Sequence, residues 1–252
     1  GLHPWAIYGV VALSLAFFAY NKGLPLSMRS IFYPLLGDRA WGWAGHIVDI
    51  LAVLATLFGL ATSLGLGAQQ AASGIHHVFG VEPGLGLQIV VITVVTLLAV
   101  VSVVRGIDGG VKVISNINMV VAFLLLILVG LIGWAASLGS IPTTLMAYVE
   151  NIIPLSNPFG RTDEAWFQGW TVFYWAWWIS WSPFVGMFIA RVSKGRTIRE
   201  FIVGVLLIPT GFTLIWMGFI GNAALFSILQ QGQDSLMAAV QKDSSVALFE
   251  FL

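Results

Sequence analysis

The 252-residue sequence contains no cysteine, and only 9% of its residues are charged. The absence of cysteine excludes disulfides and thiolate metal sites, and it leaves the redox compartment open. About a quarter of the residues of a soluble chain are charged. With 58% hydrophobic residues and a mean hydropathy of +0.93, this chain must face lipid over most of its surface. Its net charge is zero, so no electrostatic argument for a nucleic-acid partner arises.

Charged side chains are also missing from the middle of every long apolar stretch. A transporter for an anion or a simple metal cation usually carries an intramembrane charge. No nucleophile–base or metal-ligand spacing is present either, so we do not expect an enzyme or a bound cofactor. His76 and His77 have no carboxylate or third histidine within helical reach, and we interpret them as interfacial. Apolar stretches without charged residues suit a solute whose positive charge is shielded by apolar groups, such as a trimethylammonium zwitterion.

Six apolar stretches are long enough to cross a bilayer core of about 30 Å, which takes roughly 20 helical residues. An open sheet would leave its backbone polar groups unpaired in lipid, so each stretch is predicted to be a helix. The predicted fold class is an all-α membrane protein with a single transmembrane domain over residues 1–252. We place the spans near 4–21, 44–72, 86–105, 114–138, 166–190 and 199–229.

The basic residues are concentrated in alternate loops. Nine of the eleven lie after the first, third and fifth predicted spans. By the positive-inside rule these loops are cytoplasmic, which predicts a multi-pass protein of the inner cell membrane whose first residue faces outward. We expect both ends of the sequence to be cuts in a longer protein. The nine residues are Lys22, Arg29, Arg39, Arg105, Lys112, Arg191, Lys194, Arg196 and Arg199.

The fifth predicted span is rich in tryptophan, with six of the eleven tryptophans between Trp166 and Trp181. An aromatic belt at the membrane interface explains those at the start of the span but not those that run on toward the bilayer centre. Aromatic faces hold quaternary ammonium groups, each contact contributing about 0.5–2 kcal/mol. At the helical period of 3.6, one broad face carries Tyr174, Trp177, Trp178, Trp181, Phe184 and Phe188.

Pro183 follows these aromatic residues, and it predicts a helix broken at the middle of the membrane. Broken helices line substrate and ion sites in secondary transporters. An aromatic face and a break at the same depth favour a cage for a cationic solute. The alternative is a kinked, aromatic-rich helix that serves only in packing.

Five stretches of the sequence together resemble the betaine/carnitine/choline transporter family, and the resemblance extends over the whole chain. The most specific of them is GWTVFYWAWW at 169–178, followed by WSPFVGMFIAR at 181–191 and SKGRTIREF at 193–201. LHPWAIY at 2–8 and GLATSLG at 59–65 add to the likeness. The resemblance implies an inverted-repeat (LeuT-like) fold of twelve helices. This fragment would cover helices two to five of the first repeat and the first two of the second, and the whole protein would be a homotrimer.

The same resemblance implies roles for individual residues. Trp5, Tyr8 and Trp178 would form the substrate-binding cage. Trp177, Trp181 and Phe188 would line the substrate path toward the inside. Trp166 and Trp170 are interpreted instead as interface anchors.

The resemblance implies a coupling-ion site only in part. Thr56 and Phe184 are the candidate ion contacts, although a lone threonine in a membrane helix often bonds its own backbone four residues back. Leu60 stands where some sodium-coupled members have a second hydroxyl, which weakens the case for two sodium ions. Asn118 stands where ion-independent exchangers have arginine, which favours ion coupling. Sodium is the expected ion, and a proton remains the alternative.

The aromatic segment and the family resemblance together predict a function. The leading hypothesis is a secondary active transporter that imports glycine betaine, or choline or ectoine, by ion-coupled alternating access. One alternative is an exchanger of the carnitine/choline type without ion coupling. Another is a membrane protein that binds a quaternary amine without transporting it. A channel filter, which would need repeated hydroxyls or carbonyls, is not evident.

Overall fold

The computed structural model describes residues 1–132 and 134–251, except the side chains at 107, 108, 132 and 134–138. Within those residues the chain is helical and has no strand, as the composition predicts. The principal helices are α1 (Leu2–Ala16), α2 (Met28–Ile31), α3 (Tyr33–Leu36), α4 (Trp43–Phe79), α5 (Leu85–Val104), α6 (Lys112–Ile132), α7 (Trp134–Ser156), α8 (Glu164–Trp166), α9 (Phe173–Val192), α10 (Ile198–Gln231), α11 (Asp234–Lys242) and α12 (Ala247–Phe251). Wide π-helical turns at Phe17–Asn21, Ile107–Val111 and Phe167–Val172 extend or link them.

Five helical segments of the described chain are long and apolar enough to cross a membrane. Four of these segments agree closely with predicted spans. The predicted span 114–138 differs, because it extends past the apolar segment Gly109–Leu131 and past position 133, which lies outside the described residues, into α7. The aromatic segment is not among the five, because tryptophan and tyrosine rank low on hydropathy scales. Its status as a sixth span therefore stays a prediction. The five segments are Leu2–Asn21, Trp43–Phe79, Leu85–Val104, Gly109–Leu131 and Ile198–Gln231.

The described chain divides into two compact units. The first consists of Gly1–Thr62 and Tyr148–Leu214, and the second of Ser63–Ala147 and Ile215–Leu252. Helices α4, α7 and α10 each run from one unit into the other. The aromatic helix α9 and all of the predicted site residues belong to the first unit.

In the first unit, α1 packs along α9. A glycine makes this close approach possible: a Cβ at Gly186 would lie 2.6 Å from Val11 Cγ1 and 3.3 Å from the Ala12 backbone nitrogen. Gly59 on α4 has the same role toward α9, since a Cβ there would lie 2.8 Å from Trp181 Cε3. The aromatic helix is thus held between α1 and α4 at glycine contacts, as membrane helices often are.

The second unit has a core of its own, built where α6 and α10 meet the C-terminal segment. Val129, Ala223, Leu236 and Phe251 are buried together there. The C-terminal end of α4 contacts the same C-terminal segment of the chain, because Ser73 and Ser245 share a hydrogen bond of 2.6 Å. Likewise, His77 Nδ1 lies 3.9 Å from Glu250 Oε1. His77, interpreted from the sequence as interfacial, therefore has an acidic neighbour that is distant in sequence.

The predicted break at Pro183 is wrong, because α9 runs unbroken from Phe173 to Val192 with this proline inside it. A proline has no N–H to donate to the carbonyl four residues back, which here is that of Ile179. The Ser182 hydroxyl donates to that same Ile179 oxygen at 2.7 Å. The carbonyl is therefore satisfied although the proline cannot donate to it, and the helix continues. The irregular backbone lies earlier, in the π-helical turn at Phe167–Val172.

Candidate functional site

The structure brings the three predicted cage residues into one cluster between α1 and α9. Tyr8 is 8% exposed and belongs to the buried core of the first unit. Trp5, one turn earlier on α1, and Trp178 on α9 both pack against that core. The remaining members of the buried core are Ala12, Leu15, Ile189, Ala190 and Phe201. Residues far apart in the sequence therefore present aromatic rings at one helix interface.

The rings of α1 and of the aromatic segment meet their neighbours at tilted or perpendicular angles. Trp5 and Tyr8 are perpendicular, with centroids 5.8 Å apart and an interplanar angle of 88°. Tyr174 lies 5.7 Å from both Trp177 and Trp178, tilted by 46° and 58°. Tilted and edge-to-face pairs are the stable arrangements for aromatic rings. The π-faces of such pairs point in different directions, and a cation binds over the face of a ring.

The predicted path residues are only partly brought together. Trp181 packs against the buried core and lies 5.1 Å from the Phe184 ring. Trp177 contacts Tyr174 and Phe173 rather than that core. Phe188 is 59% exposed on the surface of the first unit. The three residues therefore lie along one helix without forming a continuous lining in this conformation, and their role as a path stays a prediction.

The two candidate ion contacts, Thr56 and Phe184, line the same cavity. It has a volume of about 400 Å³ and lies between α4, α9 and the segment before α2. The Thr56 hydroxyl donates to the Ala52 carbonyl at 2.8 Å, so its hydrogen is used, as the alternative interpretation predicts. Its oxygen lone pairs remain, and these are the atoms that would bind a cation. Other lining residues are Ser27, Met28, Asp49, Ala52, Val53, Leu57, Pro183 and Met187.

Asp49 lines this cavity and is held by Arg29. The Arg29 Nε lies 2.5 Å from Asp49 Oδ2, and the backbone N–H of Arg29 donates to Asp49 Oδ1 at 3.0 Å. The Arg29 guanidinium also lies 3.1 Å from His46 Nδ1. Asp49 is not among the site residues predicted from the sequence. The signal for it is its position seven residues before Thr56, two helical turns along one face of α4.

The Arg161 side chain lies at the N-terminal end of the aromatic segment. The Arg161 guanidinium lies 5.5 Å from the Trp166 ring and 4.8 Å from the Phe167 ring. It pairs with Asp163, and this hydrogen bond lowers the pKa of the Asp163 carboxyl. Trp166 therefore contacts a charge of the protein itself, unlike the predicted cage residues Trp5, Tyr8 and Trp178.

The family model described as BCCT, betaine/carnitine/choline family transporter, matches residues 1–252. Glycine betaine transporter 1 of Vibrio parahaemolyticus is 86% identical over 99% of this chain and 48% of its own length. A glycine betaine/proline/choline/ectoine transporter of that organism is 65% identical over 99% of this chain and 44% of its own length. A third Vibrio parahaemolyticus protein, a glycine betaine/proline/choline transporter, is 56% identical over 94% of this chain and 43% of its own length.

The chain spans about half the length of these curated relatives. The match nevertheless covers every residue of the chain, including the aromatic helix and the cluster that it forms with α1. A resemblance based on five short stretches is thus extended to the complete sequence. The chain belongs to the betaine/carnitine/choline transporter family.

Proposed function

We propose that the full-length protein is a secondary active transporter that imports a quaternary-ammonium solute, with glycine betaine as the principal substrate. One observation carries the proposal: Trp5 and Trp178 pack against the buried core that contains Tyr8, where α1 packs along α9. Three aromatic rings near a buried core can hold a trimethylammonium group without a counter-charge. The names of the relatives favour glycine betaine, and one of them adds proline, choline and ectoine.

Transport into vesicles tests this proposal. The full-length protein is reconstituted, and uptake of radiolabelled glycine betaine, choline, carnitine and ectoine is followed with and without an inward sodium gradient. We expect glycine betaine to accumulate above its external concentration only when the gradient is present. Equal, gradient-independent leak of all four solutes would contradict the proposal. Uptake that requires preloaded solute but no gradient would favour the exchanger instead.

The proposal gives different roles to the aromatic residues of α9. Trp178, with Trp5 and Tyr8 on α1, would surround the ammonium group of the solute. Trp177, Trp181 and Phe188 would contact the solute as it moves toward the cytoplasm. Because Phe188 is exposed and apart from the cluster, its contact would require another state of the transport cycle.

We further propose that the cavity beside Thr56 and Phe184 admits the coupling ion. Hydroxyl oxygens suit sodium, and the Phe184 ring supplies a face for cation–π attraction. Ser27 lines the same cavity and offers a second hydroxyl, although Leu60 occupies the position one turn after Thr56. The resulting ligand set is small, which favours one sodium ion at this cavity over two.

Replacing Thr56 with valine removes the hydroxyl and keeps the shape of the side chain. We expect the sodium concentration for half-maximal uptake to rise about tenfold, since a polar contact to a charged group contributes about 1.5–3 kcal/mol. Thr62→Val is the matched control, because Thr62 donates to the Phe58 carbonyl in the same way but does not line the cavity. Unchanged sodium dependence in Thr56→Val would remove this residue from the ion site.

We also propose a membrane location and an oligomeric state for the full-length protein. The chain is part of a multi-pass membrane protein, and we place it in the inner cell membrane because its basic loops alternate with acidic or neutral ones. A homotrimer is the assembly implied by the family resemblance. Light scattering of the purified full-length protein measures that state directly.

A further inference from the structure

Asp49 is the only charged side chain among the described residues that line the cavity of Thr56 and Phe184. The remaining lining residues are apolar apart from the hydroxyls of Ser27 and Thr56. Asp49 and Thr56 both belong to α4, and the helical rise between them amounts to about 10 Å. The Asp49 carboxylate therefore does not ligate the same ion as Thr56, but its charge acts on that ion through space.

Arg29 occupies both oxygens of this carboxylate. Its Nε lies 2.5 Å from Asp49 Oδ2, and its backbone N–H donates to Asp49 Oδ1 at 3.0 Å. The guanidinium also lies 3.1 Å from His46 Nδ1. A guanidinium can only donate, so this ring nitrogen accepts and the imidazole is neutral in this contact. Arg29, Asp49 and His46 together therefore carry no net charge at the edge of the cavity.

The backbone at Arg29 is fixed by contacts that do not involve its side chain. Ser30 is buried in α2, and its hydroxyl donates to the Pro25 carbonyl at 2.6 Å. The Ser27 hydroxyl, which belongs to the cavity lining, lies 3.2 Å from the Ser30 hydroxyl oxygen. A change confined to the Arg29 side chain should therefore leave Ser27 in place and keep the backbone N–H bond to Asp49.

An unpaired carboxylate in an apolar cavity attracts every cation, and it attracts a divalent cation more strongly because the Coulomb energy scales with charge. At an effective dielectric constant of about 20, a unit charge about 10 Å away changes sodium affinity roughly tenfold. Screening by salt reduces this factor to about three. The Asp49 side chain is 29% exposed, so water can hydrate it and keep it ionised in the absence of Arg29. The pairing with Arg29 therefore determines how strongly this cavity holds cations.

We propose that Arg29 is a specificity-determining residue of this cavity: by neutralising Asp49, it lets a monovalent cation bind and leave, and it prevents the retention of a divalent one. A transported ion has to be released on the other side of the membrane, which a bare carboxylate close to the site would oppose. This role rests on the proposed ion site at Thr56 and Phe184. It adds the selectivity of that site and assigns it to a residue of α2 that is not itself part of the cavity lining.

Sodium-dependent uptake of glycine betaine into vesicles that contain the full-length protein tests the proposal, with potassium chloride keeping the ionic strength constant. We expect Arg29→Gln to lower the sodium concentration for half-maximal uptake about three- to tenfold, because Asp49 becomes an unpaired anion. Asp49→Asn should raise that concentration by a similar factor, because Arg29 becomes an unpaired cation. The Arg29→Gln/Asp49→Asn variant should stay within about twofold of the wild type. So should Arg39→Gln, which removes an exposed charge from the same loop but not from the pair.

Calcium inhibition supplies a second measurement, since the ligands of calcium are oxygens and carboxylates prominent among them. With calcium on both sides of the membrane, we expect half-maximal inhibition of Arg29→Gln at a concentration at least about tenfold lower than for the wild type. The Arg29→Gln/Asp49→Asn variant should return to the calcium sensitivity of the wild type, because it carries no carboxylate at this position.

Opposite shifts of the two single variants distinguish an effect of charge from an effect of structure. If the pair only ties α2 to α4, both single variants and the double variant should lose uptake alike, and that result would overturn the proposal. Unchanged sodium dependence and calcium sensitivity in Arg29→Gln would overturn it as well. Wild-type uptake that needs no sodium is a separate result: it would contradict the proposed ion site, and this role of Arg29 with it, before any variant is compared.

Discussion

Replacing Trp178 with leucine is expected to weaken glycine betaine binding by tenfold or more while the protein stays folded. Leucine keeps most of the apolar contact that Trp178 makes with the buried core of the first unit. It removes the π-face, and each cation–π contact contributes about 0.5–2 kcal/mol, more when it is desolvated. A factor of ten corresponds to about 1.4 kcal/mol, within that range. Equilibrium binding of radiolabelled glycine betaine to the purified full-length protein measures the change.

Two further variants separate the aromatic contribution from packing. Trp178→Phe retains a smaller π-face and should fall between the wild type and Trp178→Leu. Trp175→Leu removes a tryptophan from the same helix, at a position where the ring meets His3 at 5.3 Å outside the buried core. We expect its affinity to remain within about twofold of the wild type. Equal losses in Trp175→Leu and Trp178→Leu would indicate a general effect on α9 and contradict the cage.

The helical nature of the chain and the aromatic face of α9 could be predicted from the sequence, because both depend on local pattern. Tyr174, Trp177 and Trp178 fall on one face at a period of 3.6 residues, and their rings do contact one another. The partner of that face could not be predicted in the same way. Tyr8 and Trp5 of α1 share a buried core with Trp178 across a long sequence separation, and only the family resemblance proposes these three residues as a cage.

Pro183 shows where a local rule gives the wrong result. The rule treats proline as the loss of one N–H and one helical bond, and it predicts a break. It takes no account of the neighbouring Ser182 hydroxyl, which donates to the carbonyl that proline leaves free. In water such a carbonyl would be hydrated, but in lipid a side-chain donor has to replace the water. A serine beside a membrane proline therefore argues for a continuous helix.

The cavity lined by Thr56 and Phe184 could be predicted from the sequence only in part. Thr56 and Asp49 lie seven positions apart on α4, so their common face could be read from the sequence. The Arg29–Asp49 ion pair joins α2 to α4 over a separation of 20 residues, which no helical spacing specifies. The contribution of Ser27 and Phe184 to the same cavity depends on how three segments pack, which no local spacing specifies.

Replacing Gly186 with valine is expected to have the largest effect on the fold and the site together. Even a Cβ at this position would lie 2.6 Å from Val11 Cγ1 and 3.0 Å from Val11 Cβ, closer than carbon atoms can approach. Valine at 11 has a stiff χ1 and cannot swing away, and the Ala12 backbone nitrogen behind it belongs to α1. The helices α1 and α9 must therefore separate. Overpacking of this kind lowers the free energy of unfolding by about 1–3 kcal/mol. Valine adds two methyl groups beyond the Cβ, so its effect should be larger than that of a Cβ alone.

The separation should be visible in two measurements on the full-length protein. Thermal unfolding in detergent should occur at a lower temperature, and glycine betaine should bind about tenfold more weakly, because Trp5 and Tyr8 move away from Trp178. Gly204→Ala is the control, since no atom lies within 4 Å of a Cβ built there. It should leave stability unchanged or slightly raised.

Relief of the clash distinguishes the proposed cause from a general intolerance of α9 to substitution. Gly186→Ala should be milder than Gly186→Val, and adding Val11→Ala should restore part of the lost stability by removing the Cγ1 contact. Restoration should remain incomplete, because the Ala12 nitrogen would still lie 3.3 Å from the new Cβ. If Gly186→Val bound glycine betaine as tightly as the wild type, the cage could not depend on the close approach of α1 and α9. The substrate would then be held by the rings of α9 alone.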